Sequence, residues 1–502
     1  MPIPHRPVGL RARLVSAALA IALALGPVPV AAQIENLPRL GDPSADELSP
    51  QAERRLGESI MRQIRRDAAW LDDADLVDYL NRLAAPLSAT PAAGSTSFEF
   101  FALAEASINA FALPGGYIGV HTGLLTAAET ESEVAAVLAH EIGHVTQRHI
   151  ARMLAQQKQV SLVSMAGMVL ALLAARSNPQ AAMGSLLIGG EMARSNMLSF
   201  SREAEREADR VGFEILRQAD FDVQSMVSFF GRLQQASRFY ESNAPAYMRT
   251  HPVTGERIGD MQLRLRESRY RQRADSIEFQ LLRARLRALA DDSAEGRRTA
   301  RALAEQSVRQ SPKAGPAPWF GLASVAAAQR DWARVETALA QAQSLVGSAG
   351  HPYLEVLGAS ARLESGDARG AADRATRALA RFPDARSLAR VQGEALIAAG
   401  QPGEALRLIN DHLLVWRGDA RLWALSAQAN FALGRRAEAH RAVAEQYLLL
   451  GSPMSALDQL RRGQKAGDTD FYAASMIDSR IREIEPDALR EFEETRQQGQ
   501  QR

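Results

Sequence analysis

The chain has 502 residues, 46% hydrophobic and 23% charged, which is enough for about three domains with cores of their own. Its 59 basic and 58 acidic residues are interspersed and leave a net charge of +1, so there is no basic footprint for nucleic acid. Cysteine is absent, which excludes disulfides, thiolate metal sites, a cysteine nucleophile and a lipid-modified cysteine, and leaves histidine and carboxylate to hold any metal.

Residues 1–32 read as a cleavable export signal. Arg6, Arg11 and Arg13 precede an uncharged run of 12 residues from Leu14 to Leu25, and small residues at Val30 and Ala32 suit cleavage after Ala32. The run is short of the ~20 residues of a membrane span. The mature chain is therefore expected to begin at Gln33 and to work outside the cytoplasm.

From Ser49 to about Ala85 the apolar spacing is helical, with Leu56, Ile60 and Ile64, then Leu76, Tyr79 and Leu83, on common faces. Residues 97–103, 107–113 and 117–120 read as three strands, with Pro114, Gly115 and Gly116 as a turn. They predict a small antiparallel sheet directly before the next helix, with one edge either open to strand addition by an extended peptide or serving only to pack that helix.

A helix follows from Glu131, with Val134, Val137, Leu138 and Ile142 for burial. It carries His140-Glu141-Ile142-Gly143-His144, an HExxH run. At ~3.6 residues per turn the two histidines stand one above the other and can share a zinc ion, while Glu141 supplies a general base. His149 lies about 180° round a straight helix from His140, so it reads as a surface or capping histidine. Residues 160–175 carry no charge and predict a buried or amphipathic helix, with a membrane-surface or substrate-facing lid as the alternative.

Between Ser201 and Gly212 the helical wheel turns Ala204, Ala208, Val211 and Ile215 inward. Glu205 and Asp209 flank that stripe on one side, Glu203 and Glu207 on the other. The wheel leaves the choice open. The Glu205 side is favoured because Asp209, one turn on, can hydrogen-bond the second ring nitrogen of a ligand histidine. Beyond a further amphipathic helix over 223–233, a loop at 247–258 carries His251 ahead of an arginine-rich helix. From about Glu278 the pattern changes. Gly366, Gly400 and Gly434, and Ala371, Ala405 and Ala439, recur at an interval of 34 residues (400 − 366 = 34), the period of tetratricopeptide repeats.

Asn109 to Ile118, the HExxH run with Val145 to His149, Glu205-Arg206-Glu207-Ala208-Asp209, and Thr250-His251-Pro252 together resemble the HtpX/CAAX-endopeptidase superfamily of gluzincin metallopeptidases, and within it the periplasmic BepA-like branch. The resemblance implies an α+β, mostly α, fold. A zincin-like metallopeptidase domain with a small antiparallel sheet would occupy 33–270, a tetratricopeptide solenoid 271–490 and a polar tail 491–502. It implies one zinc per chain on His140, His144 and Glu205, with Glu141 as base and Asp209 supporting a ligand. His251 would be either an oxyanion donor or an occupant of the fourth metal position that keeps the resting enzyme latent. The implied work is periplasmic quality control of outer-membrane β-barrel proteins, with misfolded or stalled barrels as substrates. The repeats would meet the barrel-assembly machinery, and peripheral membrane association fits the same setting. The alternative is a chaperone or assembly adaptor that acts through its repeats and carries a latent zinc site.

Overall fold

The computed structural model describes residues 48–155, 201–239, 246–269 and 271–500; the expected signal at 1–32 and the uncharged run at 160–175 lie outside them. Helix α1 (Pro50–Ile64) begins at Ser49, whose hydroxyl accepts from Ala52 N–H, and buries Leu56, Ile60 and Ile64. Helix α2 (Ala74–Ser88) is capped in the same way by Asp73 and buries Leu76, Tyr79 and Leu83. Both apolar stripes fall where the spacing places them.

The three strands are β1 (Glu99–Leu103), β2 (Ala110–Leu113) and β3 (Tyr117–His121), in the order β1-β3-β2. The expected antiparallel sheet is corrected here to a mixed one. β2 and β3 form the antiparallel pair round Pro114, Gly115 and Gly116, but β1 runs parallel to β3, Glu99 opposite Tyr117 and Leu103 opposite His121. Alternation tells which face a residue takes and not which way a neighbouring strand runs, so the polarity of β1 is a tertiary outcome. The outer edge of β1 is occupied by residues 69–71, with Leu71 N–H donating to Ala102 O and Ala104 N–H to Ala69 O. Beside β2, Ile108 O accepts from Tyr247 N–H at 3.1 Å.

After α3 (Thr122–Ala127) comes α4 (Glu131–Thr146), the HExxH helix, with Thr130 as its N-cap. Residues 131–145 of it are all buried, as expected of a helix surrounded on every side. It packs on β2, α2, α6 (Arg202–Gln218) and α7 (Gln224–Phe239). The shorter α5 (His149–Ala155), α8 (Ala246–Thr250) and α9 (Gly255–Glu267) complete this part.

From α10 (Ile277–Ala288) to the last helix, Phe471–Gln500, the chain is a run of helix pairs. Gly366, Gly400 and Gly434 sit in the turns within pairs at φ of 94°, 77° and 75°, where a Cβ is disfavoured. Arg330 takes the same role at φ 59°. The small residues Ala371, Ala405 and Ala439 are fully buried where the paired helices meet. The repeats dock on the acidic start of α2 and the residues just before it. Arg285 pairs with Asp73 and Asp75, Arg386 with Asp78 at 2.7 Å, and Arg390 with Asp72 at 2.9 Å. At the start of α4, Glu131 N–H donates to Asp275 while the Glu131 carboxylate accepts from Tyr79 and from Ser276, the cap of α10. The HExxH helix is thus tied at its first turn to the first helix of the repeats.

Candidate active site

Small residues set the distance between the two helices that make the site. On α6, Glu205, Ala208, Asp209 and Gly212 lie on the buried face toward α4, which resolves the wheel in favour of the Glu205 side. A Cβ on Gly143 would stand 2.9 Å from Ala208 O, and one on Gly212 would stand 3.0 Å from both Ala139 O and His140 Cα. Gly212→Val is therefore expected to force α6 off α4, with a loss of about 1–3 kcal/mol by overpacking and weaker metal retention. Denaturant unfolding and metal titration of the variant measure both, and unchanged values in each would show that the spacing is not set there.

In this framework the side chains of His140, His144, Glu205 and His251 converge, each offering a ligand atom within 4.8 Å of the others. The Nε2 atoms of His140 and His144 are 3.0 Å apart. Glu205 Oε1 lies 3.4 Å from His144 Nε2 and 2.9 Å from His251 Nδ1, and Glu205 Oε2 lies 3.6 Å from His140 Nε2. All four residues are buried. Asp209 Oδ1 is 3.0 Å from His140 Nδ1, close enough to favour a proton on that nitrogen and to turn Nε2 toward the cluster.

Arg257, from the first turns of α9, holds both carboxylates. Its guanidinium meets Asp209 with two bonds of 2.6 and 2.7 Å and approaches Glu205 Oε2 to 2.7 Å. On the opposite side, His149 Nδ1 meets His144 Nδ1 at 2.9 Å, and His149 Nε2 meets Glu207 at 3.1 Å. His149 is buried, which corrects the expectation of a surface or capping role. α4 stops at Thr146 and Arg148 takes φ 53°, so the chain turns back toward His144 instead of continuing as a straight helix. Glu207, the rival carboxylate on the wheel, is bound to His149 and to Arg152.

The electrostatics fit a cation. Burial would raise the Glu205 carboxyl, but the charge of His251 and the hydrogen bonds of His140, His144 and His251 hold it well below the usual range. Burial would lower His140, yet Asp209 and then Glu205 push it up to about 9. His144 is driven well below 6.5, chiefly by burial, and so is neutral and ready to ligate. Converging ring nitrogens and a buried carboxylate form a donor set of the His, His, Glu type that divalent zinc takes, with the metal displacing the His140 proton as it binds.

Two buried polar groups beside this cluster lack partners. Neither carboxylate oxygen of Glu141 accepts a hydrogen bond among the described residues, and His251 Nε2 stands 3.6 Å from Glu141 Oε1. The hydroxyl of Tyr247, fully buried, also has no partner among them. Its ring stacks on His251 at 4.6 Å and 26°, with the His140 ring 6.3 Å away. Burial, then the charges of Glu141 and Glu205, push the Tyr247 phenol well above 10, so it remains a donor.

Three residues of this site escape a sequence reading. For Arg257 a signal exists, since two inward carboxylates one turn apart require a buried cation. His149 and Tyr247 are placed by a backbone reversal and by a short helix, neither of which leaves a periodic trace.

An HExxH helix whose two histidines converge with a buried carboxylate from a second helix is the arrangement of a metallopeptidase. The chain belongs to peptidase family M48, whose model matches residues 71–264. It is 30% identical over 486 residues to the beta-barrel assembly-enhancing protease of Escherichia coli (strain K12), covering 95% of this chain and 96% of that protein. The protein of the same name in Yersinia pestis is 28% identical over 484 residues, covering 94% and 97%. The mitochondrial metalloendopeptidase OMA1 of Schizosaccharomyces pombe is 31% identical over 180 residues, 36% of this chain and 50% of that one. Among solved structures, a human IFIT1 dimer covers 71% of this chain and 73% of its own at a TM-score of 0.31 and 15% identity, a likeness too slight to inform on function. No described helix is long and apolar enough to cross a membrane.

Proposed function

We propose that this chain is a periplasmic, one-zinc endopeptidase that cleaves misfolded or stalled outer-membrane β-barrel proteins. The observation that carries the reading is the Glu141 carboxylate, which accepts no hydrogen bond among the described residues and is buried beside a convergent His140, His144 and Glu205 donor set. Similarity along nearly the whole chain to proteins named for β-barrel assembly supplies the substrate class. The uncharged run at 14–25 supports an exported protein cut after Ala32, and the repeats give a surface for assembly partners.

His140, His144 and Glu205 would hold the metal, which when bound supplies Lewis acidity toward water and the scissile carbonyl. Glu141 takes a proton from the attacking water and returns it to the leaving amine nitrogen. Asp209, 3.0 Å from His140 Nδ1, would favour a proton on that nitrogen and so leave Nε2 as the atom that holds the metal. Burial of the whole set excludes bulk water and strengthens each of these interactions. His251 is read as a fourth donor in the resting site, since its ring lies within the same cluster.

The purified mature protein is expected to contain one zinc and to cleave an unfolded outer-membrane β-barrel protein while sparing its folded barrel. Removal of zinc by a chelator should stop cleavage, and zinc should restore it. Cleavage that continues in metal-free protein would sink the mechanism, and equal cleavage of folded barrels would sink the substrate class. His251→Ala, if it changes neither zinc affinity nor cleavage, removes the role given to that residue.

A further inference from the structure

We infer that the hydroxyl of Tyr247 is a catalytic hydrogen-bond donor to the oxyanion that forms when a peptide carbonyl is attacked at the His140–His144–Glu205 centre. The inference rests on the peptidase reading and adds to it a residue that the metal set and Glu141 do not supply. Attack on the carbonyl carbon breaks its π bond and moves the electron pair onto oxygen, and a fixed donor at that oxygen stabilises the charge as it develops. The proton of Tyr247 is shared in that bond and stays on the phenol, so no further acid is consumed.

The geometry supports this in three ways. Tyr247 is fully buried and its O–H has no partner among the described residues, an arrangement that costs stability unless something else meets the hydroxyl. Its ring is held on three sides, by His251 at 4.6 Å, Phe230 at 6.0 Å and His140 at 6.3 Å, so the hydroxyl has a fixed position. Its backbone N–H donates to Ile108 O at 3.1 Å, beside the start of β2. The donor is thus tied both to the metal-ligand cluster and to the strand along which an extended substrate would lie. His251 is a weaker candidate for the same task, because its Nδ1 is engaged by Glu205 at 2.9 Å and its ring belongs to the ligand cluster.

A structural tyrosine and a catalytic one predict opposite results for Tyr247→Phe, which removes only the partnerless oxygen. For a catalytic hydroxyl, kcat on an unfolded peptide substrate falls about 10²–10³-fold, as for loss of an oxyanion donor, while KM changes little. Zinc content and the pH profile of the remaining activity stay as in the parent protein, and the thermal midpoint is equal or higher. Affinity for a phosphonamidate peptide, which mimics the tetrahedral state, falls by a similar factor. If the parent protein is active and Tyr247→Phe retains its kcat and its phosphonamidate affinity, the inference is overturned and the peptidase reading stands. If the zinc-loaded parent cleaves no peptide, both fall together.

Discussion

Glu141→Gln is expected to lower peptide cleavage by about 10²–10⁴-fold, the range for loss of a positioned general base, while the protein keeps its zinc. Both oxygens of Glu141 are buried without a hydrogen-bond partner among the described residues, so their replacement by an amide of the same shape breaks no hydrogen bond that holds α4. Glu141 is also not one of the four residues whose donor atoms converge, which leaves the ligand set intact in the variant. What the amide lacks is the ability to take a proton from water and hand it to the leaving nitrogen. The substitution therefore separates chemistry from metal binding. Single-turnover cleavage of an unfolded peptide, measured beside zinc content, tests it, and cleavage at the parent rate with zinc bound would remove Glu141 from the mechanism.

How far the sequence carries depends on whether a residue's position follows from periodicity. His140 and His144 share a face because four residues are close to one helical turn, and Glu205 and Asp209 share theirs for the same reason. The small residues Ala208 and Gly212 then let the two faces approach, which is visible in composition once the faces are known. The 34-residue interval likewise marks real turns, because Gly366, Gly400 and Gly434 each adopt positive φ. Where the backbone reverses, the extrapolation stops. Arg148 at φ 53° returns His149 to the site from the far side of an imagined straight helix, and α8 brings in Tyr247 and His251 on one short turn. The polarity of β1 and the docking of Arg386 and Arg390 on α2, about 310 residues away in sequence (386 − 78 = 308), depend on tertiary contacts that leave no local pattern.

Arg257→Met is expected to destabilise the protein by about 3–5 kcal/mol, because it removes the cation from a buried group of two carboxylates without removing the carboxylates. The guanidinium is 4% exposed and joins Asp209 on α6 to Pro252 O on the His251 loop, so it also fixes the loop that carries His251. Burial would raise the Asp209 carboxyl, but the hydrogen bonds from Arg257 and His140 hold it below its usual value, and Glu205 is held low in the same environment. A carboxylate with a depressed folded pKa contributes stability that is present in full above its unfolded pKa, near 4, and is lost as the pH falls through the folded value. The deficit of Arg257→Met should accordingly be largest at neutral pH and shrink below about pH 4. A Lys at 257 should recover only part of it, since an ammonium cannot match the paired bonds to Asp209. Urea unfolding of the parent, Arg257→Met and Arg257→Lys at pH 7 and at about pH 3 measures all three expectations. A deficit that does not vary with pH would mean that Arg257 acts by packing on Phe230, 5.7 Å from its guanidinium carbon, and not by neutralising the acids behind the metal ligands.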